Sequence, residues 1–293
     1  MSHFSVMVIG DNVEEQLAPY HEFECTGMND QYVQNIDRTD EINGYIRLRI
    51  DRDFGGNYHE AMMDALADYG LEQKDIVSDE SKAKTEGDKC THKYGYAVVQ
   101  DGLLVKVVNR TNPNKKWDWW TIGGRWSGFI LNKKGEWIDQ ARKADIDFDG
   151  MIKFAAERAS EEYDAFIHNS RGIPFNTFNY FTEKLPATEA REAYWGQAAL
   201  KAVKENIEYY HQYFFEGFDK FAVPKEEYVN RVKLSTFSTY AFVKDSQWFA
   251  RGDMGWFGMS DDKMTQEEWN DKFVEMLMAL SDDTLITIVD CHI

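Results

Sequence analysis

Three alternating carboxylates have the spacing in this sequence that comes closest to a metal site. Asp145, Asp147 and Asp149 are each separated by one residue and are followed by a glycine, as in the first half of an EF-hand calcium loop. The twelfth position of such a loop must supply a bidentate carboxylate, but it is Ala156 here, and Glu157 comes one residue late. One residue rotates a side chain on a helix by roughly 100°. The spacing therefore favours helix capping over metal binding, and no metal site is predicted.

Cysteine and histidine lie close together at two places, where they would offer ligands to zinc. Cys90 precedes His92 by two residues, and Cys291 directly precedes His292. Neither pair has C-x-x-C spacing, and nothing in the sequence brings the two pairs together. The pattern favours a buried thiol and surface histidines. With Cys25 the cysteines are odd in number and far apart, which argues against a disulfide scaffold.

The sequence contains no nucleophile motif and no complete phosphate-binding motif. G-x-S-x-G is absent, and Gly123-Gly124-Arg125 lacks the Lys-Ser/Thr that completes a P-loop. His59-Glu60 is not followed by the second histidine of a zinc protease. We therefore predict a protein that is not an enzyme and requires no cofactor.

The charge is strongly negative and unevenly distributed. The formal net charge is −18, and residues 1–90 hold 20 acidic against 8 basic residues, a net of −12, which leaves −6 for the rest. Phosphate backbones repel such a polyanion, so direct binding of nucleic acid is not expected. The charge suits a partner with a basic surface, such as an enzyme that acts on nucleic acid. The simpler alternative is that acidity aids solubility.

Apolar periodicity predicts strands at both ends of the chain and helices between them. Residues 1–10 lack the basic region and cleavage site of a signal peptide and predict a strand, and no segment approaches the length of a membrane span, so we expect a cytoplasmic protein. Other predicted strands cover residues 45–50, a hairpin at 94–108 around Asp101-Gly102, 239–250 and 284–293. Predicted helices cover residues 59–69, 152–166, a segment from Pro186 onward, and 266–280, where Thr265 and Glu268 form a capping box.

These elements predict an α+β protein, with a mixed core that contains the N- and C-terminal strands and an inserted helical arm. The predicted division is residues 1–145 as an N-terminal α/β core, 146–235 as the arm, and 236–293 as a β-α-β part that completes the core.

Two aromatic stretches are candidates for partner binding. In residues 115–129, which contain four Trp and three Gly, Arg125 and Trp126 would present a guanidinium and an indole to a partner. The alternative is that these Trp residues form the floor of a core. The second stretch lies at residues 172–181, where an exposed apolar patch would mark an interaction site; the alternative is packing onto neighbouring helices. Its aromatic residues are Phe175, Phe178, Tyr180 and Phe181.

A stripe of apolar residues follows the predicted helix after Pro186 at alternating steps of three and four. This spacing is typical of packed helix pairs and offers a self-association surface, although packing within the arm is the simpler interpretation. The stripe consists of Leu200, Val203, Ile207, Tyr210 and Phe214.

Three segments resemble a group of bacteriophage proteins that includes the Gabija anti-defence proteins. They are residues 1–20 (MSHFSVMVIGDNVEEQLAPY), 22–26 (EFECT) and 116–128 (KWDWWTIGGRWSG), so the match lies in the N-terminal half. The resemblance implies a homo-oligomer, made in the cytoplasm of an infected bacterium, that binds the host Gabija complex of an ATPase-nuclease and a helicase-like subunit. It would prevent DNA from being bound and cut, and no catalytic residue is carried over.

Two other functions remain open at this point. A metal-dependent hydrolase would use Asp145, Asp147 and Asp149, and should then bind a divalent cation. An acidic DNA mimic would use the carboxylates of residues 1–90, and its binding to a partner should depend steeply on salt.

Overall fold

The computed structural model describes residues 2–22, 30–85, 91–206, 218–254 and 260–293. The strands are β1 (His3–Ile9), β2 (Gln34–Asp37), β3 (Ile76–Val77), β4 (Gly95–Gln100), β5 (Leu103–Thr111), β6 (Trp119–Ile122), β7 (Ile130–Leu131), β8 (Trp137–Ile138), β9 (Gln140–Arg142), β10 (Ala241–Lys244), β11 (Gln247–Ala250), β12 (Gly252–Met254), β13 (Ser260–Asp262) and β14 (Leu285–His292). The α-helices are α1 (Val13–Leu17), α2 (Thr39–Asp53), α3 (Tyr58–Ala67), α4 (Phe148–Asn169), α5 (Phe178–Thr182), α6 (Ala187–Gly196), α7 (Ala198–Asn206), α8 (Lys225–Leu234) and α9 (Gln266–Met278).

The main sheet is built around the two ends of the chain. Its strand order is β11-β10-β1-β14-β6, and β9 pairs with β14 next to β6. The terminal strands β1 and β14 run antiparallel, in a register that pairs His3 with His292 and Ile9 with Ile286. Strand β10 runs parallel to β1. The predicted α+β class and the terminal strands are confirmed.

The main sheet separates two apolar cores, because successive residues of a strand point to opposite faces. Ile286 and Ile288 of β14 lie in the core that α9 closes. Val289 and Cys291 lie in the opposite core, which includes Leu17 of α1. The capping box that begins α9 forms as predicted: the Thr265 side chain accepts a hydrogen bond from the Glu268 backbone N–H.

The part of the chain between β1 and β6 forms a second sheet, in the order β2-β5-β4-β3. Helices α2 and α3 pack on one face of this sheet. The predicted hairpin is confirmed, with positive φ angles at Asp101 (50°) and Gly102 (79°). The predicted strand at residues 45–50 is wrong, since this segment lies inside α2. Its alternating pattern is misleading: Ile46 is buried one helical turn after Ile42, whereas Leu48 is 72% exposed.

The helical arm, α4 to α8, follows β9 and ends before β10, which confirms the predicted insertion. Its own core contains Ala159, Phe166, Tyr194, Leu200, Val203, Phe218, Phe221 and Tyr228. Strands of the main sheet come from both the 1–145 and the 236–293 parts, and the division into three domains stays a prediction. Within the described ranges, no helix is long and apolar enough to cross a membrane.

Candidate functional site

A row of three aromatic rings crosses one end of the main sheet. It lies on the same face as α9, which covers the other end of that face. The strand register places His3 of β1 opposite His292 of β14, and His292 opposite Trp119 of β6. The ring centroids of His3 and His292 are 4.9 Å apart in a T-shaped contact, and the His292 and Trp119 rings stack at 5.2 Å. This row continues the face of Ile286 and Ile288 beyond the apolar core, and we call these three residues the ring row.

Each histidine of the ring row is held by a carboxylate. The His3 Nδ1 lies 2.9 Å from the Asp290 Oδ1, and the His292 Nδ1 lies 2.6 Å from the Asp118 Oδ1. An ionised carboxylate only accepts hydrogen bonds, so both imidazoles donate through Nδ1. The Asp290 side chain is 2% exposed and its second oxygen accepts from the Arg125 backbone N–H at 3.0 Å, whereas Asp118 is at the surface.

The Gly-Gly-Arg segment forms a loop that wraps around two carboxylates. Gly123 and Gly124 have φ angles of 70° and 55°, which favour glycine. A Cβ on Gly123 would lie 2.3 Å from an Asp139 oxygen, and a Cβ on Gly124 would lie 2.5 Å from the Asp290 side chain. The glycines therefore allow close approach to carboxylates, and they form no phosphate-binding loop.

A cavity of about 380 Å³ lies beside the start of β6. Trp117 is one of its lining residues; the indole is buried and its Nε1 donates to the Leu17 carbonyl at 3.2 Å. His21 packs on Trp117 with ring centroids 4.4 Å apart and donates from Nε2 to the Asp118 carbonyl at 2.9 Å. The residues that line this cavity, here called the tryptophan cavity, are Glu14, Ala18, His21, Gln31, Trp117, Asp118, Trp119 and Trp120.

Strand β6 is an edge strand of the main sheet. It pairs with β14 on one side, and no other strand in the described part of the chain pairs with it. Trp119 and Ile122 are 43% and 44% exposed, which places large apolar side chains on this edge. Exposed edge strands with apolar side chains are sites where another polypeptide can bind.

Asp253 ties the segment before β6 to the small β12–β13 sheet. Its carboxylate accepts hydrogen bonds from the Lys116 Nζ at 2.7 Å and from the Lys263 Nζ at 2.6 Å. The hydrogen bond from Lys116 has the larger effect and that from Lys263 the next, and together they lower the pKa of Asp253 from 3.8 to about 2. A carboxyl group whose pKa is lower in the folded chain stabilises the fold above its unfolded pKa, and this contribution is lost as the pH falls through the folded pKa.

We expect Asp253→Asn to lower the free energy of unfolding by about 1 kcal/mol at neutral pH, a value reduced by solvent screening because the side chain is 49% exposed. The difference from the unmodified protein should shrink as the pH falls from about 4 through about 2, and below about pH 2 the protonated Asp253 is neutral like the asparagine that replaces it. Urea unfolding of both proteins at neutral pH and near pH 2 measures this difference. Asp271→Asn, at an exposed position on α9, is the control. A difference that does not change with pH would contradict the assignment.

The residues predicted for partner binding lie in two separate places. Arg125 is exposed beside the ring row, and Trp126 is half-buried against the core under α9. Phe175, Phe178 and Phe181 belong to the arm.

The expectation of a contiguous exposed patch at residues 172–181 is wrong. Phe175, Phe178 and Phe181 are half-buried against the core of the arm, and the Phe178 ring contacts Tyr194 at 5.5 Å. Helix α5 carries Phe178 and Phe181, and Thr177 caps it by accepting from the Tyr180 backbone N–H. Phe175 precedes this helix and packs on Phe166. Of the four aromatic residues Tyr180 alone is exposed.

The predicted self-association stripe is interrupted by burial. Leu200 and Val203 have no exposed surface, because they pack inside the arm, as the simpler interpretation expected. In this fold they offer no surface to a second copy. Ile207, Tyr210 and Phe214 lie outside the described residues.

Two of the three alternating aspartates lie at the start of α4. Asp147 caps the helix by accepting from the Gly150 backbone N–H at 2.9 Å, and Asp149 lies in its first turn. Asp145 is exposed at the end of a short 3-10 turn. No group of three or more His, Cys, Asp or Glu side chains in the described ranges is arranged to hold a metal ion.

His92, Cys291 and His292 belong to no group of possible metal ligands in the described part of the chain. Cys291 is buried, as predicted, and burial raises the pKa of its thiol well above the usual value. The prediction of surface histidines is wrong for His92 and His292, which are both buried. Cys25 and Cys90 lie outside the described residues.

The sequence interpretation missed the ring row and its carboxylates. The signal was present at both termini, where His3 and Ser5 alternate with apolar residues in one strand and Asp290 and His292 alternate with them in the other. It was missed because only the pairing of the two ends places these polar positions together.

Three comparisons place this chain against known proteins. No family model matches it, and neither the curated proteins nor the solved structures give a match. The observations that bear on function are therefore those of the surface around β6.

Proposed function

We propose that this chain is a phage-encoded stoichiometric inhibitor that binds the host Gabija complex and blocks its binding and cleavage of DNA. It acts in the cytoplasm of the infected bacterium, forms a homo-oligomer and converts no substrate. The proposal rests on protein–protein contact through the surface around β6.

The proposal is carried by the way in which the phage-like segments come together. The described parts of residues 1–20, 22–26 and 116–128 are neighbours in space. The Glu22 backbone N–H donates to the Trp117 carbonyl at 2.7 Å, and the His3 ring lies against Trp119 with centroids 5.3 Å apart. Most of β1 is buried in the sheet, but Glu22 and Trp119 bring the contact between these segments to the surface, as expected if the segments share a binding role.

The composition of this surface also supports protein binding. Trp119 and Ile122 are exposed on the edge of the sheet, and Arg125 is exposed on the loop that follows. Tryptophan and arginine are enriched in protein interfaces and among the residues that dominate binding energy.

Charge supports a partner with a basic surface. The net charge of −18 is concentrated in residues 1–90, which would attract the positive surface that a DNA-cleaving complex presents to its substrate. Complementary charge raises association rates and suppresses wrong partners.

The carboxylates on and beside α2 and α3 argue against a DNA mimic, because arginines of the same chain pair with them. The Arg49 guanidinium lies 2.5 Å from the Asp64 carboxylate and 4.0 Å from that of Asp68, and Arg52 pairs with Asp53 at 2.7 Å. The chain's own arginines thus partly neutralise this acidic face. A row of carboxylates that copied DNA phosphates would keep its charge unpaired.

Co-purification with the two Gabija subunits tests the proposal. We expect the tagged chain to co-elute with the complex in size-exclusion chromatography. DNA cleavage should fall in proportion to added protein and reach its minimum at a fixed molar ratio, as stoichiometric inhibition requires. Light scattering of the free chain measures the oligomeric state.

A matched pair of variants sharpens this test. Trp119→Ala with Ile122→Ser removes the exposed large apolar side chains of β6, and Leu48→Ser removes an exposed apolar side chain from α2. The first variant should lose most of the inhibition and the second should retain it. Separate elution of all components at low salt, with DNA cleavage unaffected, would refute the proposed function.

A further inference from the structure

We propose that the tryptophan cavity receives a cationic side chain, arginine or lysine, from a basic segment of the protein partner. This inference rests on the proposed function, since it names the chemistry of the partner that the surface around β6 recognises. It assigns a specific role to a cavity that no sequence motif indicated.

The aromatic lining of the cavity is the first support. Trp117 and Trp120 pack with the core that includes Leu17, and the Trp119 ring lies on the other face of the sheet with His292. All three border the cavity because it lies at the edge of the sheet, where both faces of β6 are accessible. A cation over an indole face is attracted by the ring quadrupole, and tryptophan gives the strongest such attraction. Removal of water from the rings strengthens the interaction.

The Trp119 indole is held in place by its neighbours. It stacks on His292 at an interplanar angle of 17°, and His292 is itself fixed by Asp118. Trp117 is fixed by the hydrogen bond from its Nε1 to the Leu17 carbonyl. Two of the three indoles therefore keep their orientation before a ligand arrives, which lowers the entropic cost of binding.

The charge of the lining is the second support. Glu14 and Asp118 contribute two carboxylates, and the lining residues that the structure describes include no lysine or arginine. One oxygen of Asp118 accepts from His292, and a carboxylate has capacity for further hydrogen bonds. A guanidinium or ammonium group could donate hydrogen bonds to these carboxylates and balance their charge, whereas an anionic side chain would be repelled.

The cavity is large enough to hold a long side chain. Its volume of about 380 Å³ is at the lower end of the roughly 300–1,000 Å³ of small-molecule sites. An extended arginine or lysine fits such a space with its stem along the indoles and its charged group near the carboxylates. The acidic surface of residues 1–90 would bring a basic segment to the cavity.

Fluorine NMR of the full chain labelled with 5-fluorotryptophan tests this inference. The signals of the nine Trp residues are assigned with single Trp→Phe variants. The probes are three short peptides of the form acetyl-Gly-X-Gly-amide, in which X is arginine, lysine or citrulline. Citrulline keeps the shape of arginine but has no charge.

We expect the arginine and lysine peptides to shift the signals of Trp119 and Trp120 in a saturable, salt-sensitive manner. The citrulline peptide should cause little shift, and Trp137, an exposed indole outside the cavity, should be unaffected. Asp118→Asn and Glu14→Gln should each weaken binding of the arginine peptide by about fivefold. Glu157→Gln, at an exposed carboxylate on α4, should leave it unchanged.

The use of two carboxylate variants protects the test against a folding artefact. In Asp118→Asn the new amide oxygen would still accept from His292, and Glu14 is exposed on α1, so neither substitution disturbs the core. Equal shifts with the citrulline peptide, equal shifts at Trp137, or no saturable shift would overturn the inference.

This experiment uses no Gabija subunit, so its failure differs from failure of the proposed function. Co-purification without peptide binding would leave the inhibitor intact and remove the role of the cavity. Peptide binding without co-purification would retain the cavity and indicate a different basic partner.

Discussion

Replacement of Gly124 by alanine is expected to lower the free energy of unfolding by about 3 kcal/mol. A φ angle of 55° costs a residue with a Cβ about 1 kcal/mol or more. The new Cβ would also lie 2.5 Å from the Asp290 side chain, and forced overpacking costs about 1–3 kcal/mol. Asp290 has little room to move, since it is buried and holds both His3 and the Arg125 backbone N–H.

Gly135→Ala is the matched control for this prediction. Gly135 has a φ angle of 82°, but a Cβ there would meet no atom within 4 Å. Only the conformational cost of about 1 kcal/mol should therefore appear. Urea unfolding followed by circular dichroism compares the two variants. Equal losses would mean that the contact between the loop and Asp290 contributes nothing to stability.

Gly124→Ala should also affect the candidate site. A shift of Asp290 would release His3, and the ring row that supports Trp119 would change its packing. The fluorine signal of Trp119 is expected to move in Gly124→Ala and to stay in place in Gly135→Ala. The variant thus connects a local backbone constraint to the surface proposed for partner binding.

The elements that the sequence predicted correctly have local causes. The Asp101-Gly102 turn, the Thr265–Glu268 capping box and the start of the helix predicted at residues 59–69 each depend on residues within a few positions of one another. The Asn57 side chain accepts from the Glu60 backbone N–H, which is sufficient to fix the start of the helix.

The strand predicted at residues 45–50 failed because local alternation was the wrong guide. Helix α2 buries Ile42 and Ile46 against the second sheet, and the start of the helix is fixed from outside. The Thr39 hydroxyl accepts from the Val107 backbone N–H at 2.9 Å. A partner that lies 68 residues away cannot be identified from the periodicity of a short segment.

The candidate site could be predicted only in part for the same reason. The tryptophan segment and its glycines were recognised as distinctive, and their carboxylate partners were not. Asp290 lies 165 residues from Arg125, and His3 lies 287 residues from Asp290. Register between the chain ends decides these contacts, and register follows from the packing of the whole sheet.

The two ends of one face of the main sheet have different roles in this fold. Along β14, the positions at Ile286 and Ile288 are apolar and anchor α9, whereas Asp290 and His292 on the same face are polar. The change from apolar to polar marks the end of the structural core. It also places the polar ring row next to the exposed edge strand, so the stability of the core determines how well that surface is held.

Trp269→Ala should therefore have the largest effect on stability among the substitutions considered, about 4 kcal/mol. The Trp269 side chain is 1% exposed and lies in the core between α9 and the terminal strands, where it contacts Phe273 with ring centroids 5.6 Å apart. Truncation of a buried tryptophan costs about 3–5 kcal/mol through lost burial and the remaining cavity. It also removes the donor to the buried Thr239 carbonyl, at 2.8 Å from the Trp269 Nε1.

Trp137→Ala is the control, because this indole is 41% exposed and contacts Phe154 at the surface. Its truncation should cost about 1 kcal/mol, the range of a single aromatic pair. Urea unfolding followed by far-ultraviolet circular dichroism avoids the loss of a fluorophore in both variants. If the two substitutions had equal effects, α9 would not be the element that holds the terminal strands, and the polar end of the sheet would need another support.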